Sequence, residues 1–358
     1  MKTLLCALTL ALAGQEPATP LDGEAASRAT SGAGPALEGI LVVLNKSDAD
    51  VGLHDPVSGE RLASLPVGRG PHEAATSPDG KTVVVCNYGD RDGGHTLTVI
   101  DAVKREVRKT IDLVDFHRPH GVLYLAGGEE ILVTAESEQK LLVVDVESGE
   151  VMDAIDTGQA ASHMVAAAPD GSRAYVANIG PGSISIIDLD ERALLKTLPT
   201  GAGAEGIAVH PESGHVWVSN RAADTISIVD PETLEVARTI ATGAFPIRVT
   251  ISPKGDHALV SCAKDDEVRI YDGETYELLR SVSMTAPSVE DAERAGRLFA
   301  ADSKAQAMPI GILIEPSGRV AFIANTLADV VTVIEIESGR VLRRISTGRQ
   351  PDGMAWIP

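Results

Sequence analysis

Short apolar runs alternate with turn-forming residues along almost the whole chain, and the alternation repeats. The unit is plainest from Ala204 to Gly243, AEGIAVHPESGHVWVSNRAADTISIVDPETLEVARTIATG. It holds a first apolar run, a Pro-Asp-Gly-like turn, a run ending Val-x-Asn, a run ending Val-Asp or Ile-Asp, and a more polar fourth run closing on Thr-Gly. The acid that closes the third run recurs at Asp55, Asp101, Asp145, Asp188, Asp230, Asp272 and Glu335, in steps of 42 to 46 residues and one of 63. Runs of four to six β-favouring residues bounded by Gly and Pro read as strands, and a period in the low forties built from four of them is the pattern of a β-propeller blade.

The two ends of the pattern are complementary. Pro351 to Ile357 is a first strand with nothing after it, and Ile40 to Gly68 has the last three strands with no first. Joining them completes a blade and removes the bare edges at the seam. The predicted fold is therefore all-β: a seven-bladed propeller over residues 39–358, with four antiparallel strands per blade, closed by pairing the C-terminal strand with the N-terminal strands. The long step marks an insert at 285–308, where Ser288-Val289-Glu290-Asp291 has the form of a capping box ahead of Ala292 to Phe299 and predicts a short helix. Such a decorated loop is read either as a lid or docking element over the channel or as a solvated excursion on the rim.

Upstream of the blades, residues 1–13 (MKTLLCALTLALA) carry one Lys, a short apolar run and an Ala-Leu-Ala ending. They read as a secretory signal, too short to span a bilayer, and imply a periplasmic or secreted protein. Residues 14–38, rich in Ala, Gly, Pro, Ser and Thr, read as a flexible leader. A formal net charge of −20 argues against a nucleic-acid binder, which needs a basic stripe. Aromatic residues make up only 3% of the chain against 44% for the hydrophobic set, so the blades must pack through Val, Ile, Leu and Ala. Cys86 and Cys262 fall in blades far apart around the ring, too far to bridge. The expected state is a monomer without a membrane span.

Tyr175-Val176-Ala177-Asn178, with Pro169-Asp170-Gly171 before it and Ile186-Ile187-Asp188 after it, resembles the YVTN family of β-propeller repeat proteins. The same frame returns as Val218-Ser219-Asn220 and Ile323-Ala324-Asn325, and the likeness extends over roughly residues 40–358. It implies the fold strongly and activity weakly, because that family gathers exported or surface proteins of varied roles. Blades two and five depart from the frame: Glu136 lies near the Asn position of the one and Cys262 occupies that of the other.

Three columns hold the candidate chemistry. The residue opening the first strand of each blade, at one channel mouth, reads His72, His120, His163, Glu205, Ile247, Ile310 and Asp352. Since blade seven adjoins blade one, Asp352, His72, His120, His163 and Glu205 form an unbroken arc of imidazoles and carboxylates, donors that suit Zn²⁺, Cu²⁺ or Ni²⁺. The competing expectation is a polar channel mouth without metal. One position on stand Glu73, Gly121, Met164, Gly206, Arg248, Gly311 and Gly353. There Arg248 either clamps a ligand anion or neutralises Glu73 or Glu205. The third column, Asn45, Asn87, Asn178, Asn220 and Asn325, offers amides to a polar ligand or, alternatively, satisfies loop backbone.

Other features carry less. His95, His117, His210, His215 and His257 read as surface residues, and Asp90, Asp92 and Gly94 of a blade-one insertion, Tyr88 to His95, faintly suggest a Ca²⁺ loop. No haem-attachment Cys-x-x-Cys-His, Gly-x-Ser-x-Gly elbow or phosphate loop occurs. Two functions follow. The first is a binding module engaging a small ligand, a metal ion or a protein at the channel mouth. The second is a metal-assisted hydrolase or lactonase-like enzyme, with Glu205 or Asp352 as base and Arg248 orienting the substrate.

Overall fold

The computed structural model describes residues 37–285 and 306–358. These form seven four-stranded antiparallel sheets, each ordered sequentially from an inner to an outer strand. Blade four is typical: Ala204–Val209, Val216–Asn220, Thr225–Asp230 and Glu235–Ala241. In the seventh sheet Pro351–Ile357 pairs with Ile40–Asn45, with Val43 opposite Met354, so the first and last strands of the chain share one blade. The signal segment, nearly all of the leader and the helix expected within 285–308 lie outside the described residues.

Burial follows position in the blade. Second and third strands are covered on both faces by the neighbouring blades, so their apolar runs are continuous, as in Val83 to Cys86 and Leu141 to Val144. Outer strands alternate and stay largely exposed, as in Arg61–Pro66. Blade contacts are apolar: Leu259, Val268 and Ile270 of blade five pack on Ile312, Ala321 and Ile323 of blade six. The composite blade is packed equally on both sides. Val42, Leu44 and Val51 meet Val83, Val85 and Ile100 of blade one, while Leu41, Val43 and Trp356 meet Phe322 and Val331 of blade six. Each such side chain contributes about 1.5–3 kcal/mol when fully buried.

Two repeated backbone devices shape the channel mouth. Every inner strand carries a register shift near its start, as between Pro71 and Ala74 or Pro246 and Val249, so that two residues oppose one on the second strand. These β-bulges fall on the first two columns and turn consecutive side chains toward the axis. Two residues before the first column the chain is left-handed in all seven blades, at Gly70, Arg118, Ala161, Gly203, Phe245, Met308 and Gln350, with φ between 51° and 73°. Five of these seven are not glycine, a conformation that costs an L-residue about 1–2 kcal/mol.

The strained turn is repaid locally. The carbonyl of each left-handed residue accepts a hydrogen bond from the residue following the Asn column, at 2.9–3.3 Å: Lys46, Tyr88, Glu136, Ile179, Arg221, Ala263 and Thr326. This pins a further column of side chains beside the first.

Candidate functional site

A cavity of about 370 Å³ opens at this mouth. From the columns named in the sequence it gathers His72, His120, His163, Glu205, Asp352 and Arg248, and from the column after the Asn positions it adds Lys46, Tyr88, Glu136, Ile179 and Arg221. Arg118, one of the left-handed residues, completes its charged wall, and Ile247 and Ile310 form an apolar side. Sequence reasoning missed Lys46, Tyr88, Arg118 and Arg221. The signal was available one residue beyond each Asn, where four of seven blades carry an ionisable group or a phenol.

The arc is a hydrogen-bonded chain. Tyr88 Oη donates to Glu136 Oε1 at 3.0 Å. His163 Nδ1 lies 3.1 Å from Glu136 Oε2 and its Nε2 lies 3.5 Å from Glu205 Oε1. Arg221 Nη1 donates to Glu205 Oε2 at 2.6 Å. Burial works against charge on His163, but Glu136 and Glu205 outweigh it and raise its pKa. Burial opposes ionisation of both carboxylates too, and the His163 contacts outweigh it, holding Glu136 and Glu205 below the usual range. The neighbouring imidazoles behave oppositely. Burial, then Lys46, lowers His72 to about 4, and burial with the charge of His163 holds His120 well below its ordinary value. His120, held toward its neutral form, therefore stacks on His163, whose carboxylate partners favour its cation, with ring centroids 3.6 Å apart and planes tilted 34°.

Asp352 and Lys46 close the arc on the other side. Lys46 Nζ sits 2.9 Å from Asp352 Oδ2, leaving Oδ1 buried without a partner. Burial pushes the Asp352 carboxyl up, but Lys46 and His72 outweigh it and the net direction is down. His120 Nδ1 is likewise buried and unpartnered. His72 Nδ1 contacts the Gly70 carbonyl at 2.8 Å, and its ring lies 4.4 Å from Tyr88 and 5.1 Å from His120. The guanidinium of Arg118 stands over the Tyr88 ring at 5.0 Å and donates to the Arg91 carbonyl.

The second column becomes a plug. Arg248 reaches across the channel from blade five and bonds Glu73 of blade one, while its other arm contacts the Met164 sulfur of blade three. Burial drives the Glu73 carboxyl up even though Arg248 opposes it. The alternating glycines admit close approach between blades: a Cβ on Gly121, Gly206, Gly311 or Gly353 would strike the carbonyl of the next blade's arc residue. Beyond the plug lies a second cavity of about 290 Å³, lined by Val209, Ile251, Ile312 and Met354 among others. Of the two roles open to Arg248, the geometry gives neutralisation of Glu73.

Several expectations need correction. The five amides do not face the cavity. Asn45, Asn178, Asn220 and Asn325 are fully buried and Asn87 is 2% exposed. Asn87 Nδ2 donates to Thr96 and Thr98, Asn178 and Asn220 bond Ser185 and Ser227, and Asn87 Oδ1 accepts the Gly68 N–H. They tie the second strand to the third, which is the loop-satisfying alternative. His210 is also not a surface residue. At 3% exposure its Nδ1 accepts the N–H groups of Glu212 and Ser213 and its Nε2–H donates to the Gly255 carbonyl, a tautomer that caps one turn and ties it to the next blade. Asp90 is spent on Arg69 at 2.5 Å and on the Asp92 N–H, which accounts for the suspected Ca²⁺ loop without an ion.

The metal centre expected on the arc meets the same difficulty. Among the described residues no three His, Cys, Asp or Glu side chains come close enough to hold one ion. Both nitrogens of His163 face carboxylates, Glu205 belongs to Arg221 and Asp352 to Lys46. The cations that neutralise the arc were invisible as long as only its own column was read. Glu205 and Asp352, both shifted below the usual carboxylate range, are also poor general bases near neutral pH.

Residues 120–290 match the family model described as the Cytochrome D1 heme domain. The match spans slightly under half of the chain, and leaves Lys46, His72, Tyr88 and Asp352 outside it. Among solved structures, hydrazine synthase of Kuenenia stuttgartiensis is similar at 17% identity and a TM-score of 0.68, over 80% of this chain and 89% of that one. A functionally unknown protein from Desulfotomaculum acetoxidans DSM 771 is similar at 14% identity and a TM-score of 0.72, over 89% and 98%. At these identities the likeness shows the fold. No curated protein matches the chain.

The family description implies a haem, and the residues at the mouth do not fit one. Sites for flat cofactors are predominantly apolar, whereas most residues around this cavity are charged or carry an imidazole or phenol. The His72, Tyr88, His120 and His163 rings pack on one another, and the apolar lining is confined to Ala161, Ile179, Ile247 and Ile310.

Proposed function

We propose that this propeller is an exported binding module whose ligand is a small organic molecule carrying a carboxylate, held at the polar mouth by Arg118. The observation that carries the reading is the charge distribution of the cavity. Lys46, Arg221 and Arg248 each have a carboxylate within ion-pair distance, whereas Arg118 has none among the described residues and acts on Tyr88 and, at longer range, on Glu136. Lys46, Arg118, Arg221 and Arg248 balance Glu73, Glu136, Glu205 and Asp352, and the raised pKa of His163 tips the mouth toward positive charge, in a chain whose net charge is −20. A local positive excess in an acidic protein selects anions at the point where it is exposed. Arg118 supplies the planar fork that matches a carboxylate. Ile179, Ile247 and Ile310 offer an apolar wall for the ligand's carbon skeleton.

The export reading rests on residues 1–13, and the kinship with YVTN repeats rests on the recurring Val-x-Asn frame. Calorimetric titration of the purified chain with butyrate and hexanoate at low ionic strength tests the ligand class. Binding that falls at least tenfold in Arg118→Gln, with the melting transition unchanged, supports it. Absence of carboxylate binding in the parent protein, or equal affinity in Arg118→Gln, refutes it.

A further inference from the structure

A larger groove of about 560 Å³ adjoins the mouth and shares Lys46, His72, Tyr88 and Arg118 with the cavity. Its remaining charged lining is Arg69, Arg91 and Asp90; with Lys46 paired to Asp352 and Arg69 to Asp90, Arg91 and Arg118 are the cations of the groove without an ion pair among the described residues. One wall of the groove is the blade-one insertion, through Tyr88, Gly89, Asp90 and Arg91, and the rest comes from Lys46 to Ala49 with Gln350, from Arg69 to His72 and from Arg118. The Gly94 N–H bonds the Tyr88 carbonyl at 2.6 Å, the Gly89 N–H bonds the Arg69 carbonyl at 2.9 Å, and the Gly94 carbonyl accepts the Arg118 N–H at 2.7 Å. Gly89 is left-handed, and a Cβ on Gly94 would strike the Asn87 carbonyl, so the loop can close this tightly only with glycine at both places. Arg118 Nη2 donates to the Arg91 carbonyl at 3.1 Å, which fixes the outer loop to the inner guanidinium. The insertion is thus a preformed ledge, held to blade two, with its cations lining the approach to Arg118.

From this arrangement we infer that the groove is a second anion subsite and that the ligand is an extended dicarboxylate, one carboxylate on Arg118 and the other on Arg91 with Arg69. This rests on the carboxylate reading of the mouth. Neither subsite requires a partner's residue, and the polar faces of His72 and Tyr88 line the path between them. Because Arg69 and Arg91 are exposed, the second carboxylate adds an attraction that salt screens within about 10 Å at 0.1 M.

The test compares glutarate, adipate and pimelate with butyrate, hexanoate and heptanoate by calorimetric titration at low salt. The expected result is that at least one dicarboxylate binds tenfold or more tightly than any of the monocarboxylates. The Arg69→Ala, Arg91→Ala double variant should bring that dicarboxylate down to the monocarboxylate level and leave monocarboxylate affinity unchanged. Arg69→Lys with Arg91→Lys should retain most of the preference. Dicarboxylates that bind no tighter than monocarboxylates, or a preference that survives in the double alanine variant, overturn the second subsite while the Arg118 reading stands. If the parent chain binds neither class, both readings fall.

Discussion

Arg248→Met should destabilise the propeller by several kcal/mol, and the same change combined with Glu73→Leu should not. The Arg248–Glu73 pair spans the channel between blades five and one, with side chains only 9% and 12% exposed. Removing the guanidinium leaves the Glu73 carboxylate buried and unpaired, which costs about 3–5 kcal/mol. Removing both charges and keeping the volume restores an apolar plug around Met164, and such replacements run from neutral to about 1–4 kcal/mol stabilising. The penalty in the single variant has a definite pH dependence. With Arg248 gone, the folded-state pKa of Glu73 rises further above that of the parent, which is itself above the unfolded value near 4.5, so this part of the deficit is absent at acid pH and opens as pH rises from the parent's folded pKa toward the variant's. Denaturant unfolding at several pH values between 4.5 and 8 measures it. A single variant that loses less than about 1 kcal/mol at pH 8, or whose deficit shrinks with rising pH, refutes the assignment of the plug as a paired buried charge.

Three further expectations follow from the same geometry. Ser219→Ala should cost about 1–3 kcal/mol, because the hydroxyl accepts the Gly206 N–H at 2.9 Å and donates to the Ile247 carbonyl of the next blade at 2.8 Å, both buried; equal unfolding midpoints for parent and variant would contradict this. His72 and His120 are held neutral, so they contribute stability above pH 6.5 that is lost as pH falls, for His72 toward about 4 and for His120 toward its own lowered pKa, whereas His163 contributes stability below pH 6.5 that is lost as pH rises through its raised value. His163→Asn should therefore flatten the alkaline limb of a stability-against-pH curve and leave the His72 part of the acid limb, a result that unfolding curves at half-unit intervals decide. Hemin added to the purified chain should give no stoichiometric Soret shift; a one-to-one shift abolished in His120→Ala would show that the mouth opens to accept a macrocycle.

The repeat made the fold legible because the residues that define it are bound to geometry. Asn87, Asn178 and Asn220 recur because each ties a second strand to a Thr or Ser on the third, and the Pro-Asp-Gly-like turns recur because their glycines are left-handed at Gly80, Gly171, Gly214, Gly255 and Gly318. The arc was legible for a related reason: the bulge that aims it falls at one register position in every blade. What could not be read was the pairing between columns. Nothing in the string sets Arg221 against Glu205 or Lys46 against Asp352, contacts that depend on the left-handed turn bringing the column after Asn beside the arc. That turn is carried by Arg118, Ala161, Phe245, Met308 and Gln350, residue types with no turn signature. The same blindness placed His210 on the surface, since its burial depends on Gly255 of the next blade.

A division of labour between columns explains the asymmetry of the mouth. Positions that close the ring are constrained: glycine where the next blade's carbonyl approaches, Asn where strands two and three must be tied, apolar residues where blades face one another. The arc and the column beside it touch the channel and little else, so their chemistry is free to vary from blade to blade. In this chain the variation is not scattered. Charged and aromatic groups occupy blades seven, one, two, three and four as Lys46, Asp352, His72, Tyr88, His120, Glu136, His163, Glu205 and Arg221, with Ile179 of blade three the one aliphatic among them, while blades five and six place Ile247, Ile310, Ala263 and Thr326 at the same positions. A ring that only needed a wet channel would have no reason to segregate them. The proposed ligand would use that arrangement, its anionic end meeting Arg118 while its apolar surface leaves water against isoleucine. The blade-one insertion adds Asp90 and Arg91 to the charged side of the mouth and nothing to the isoleucine side.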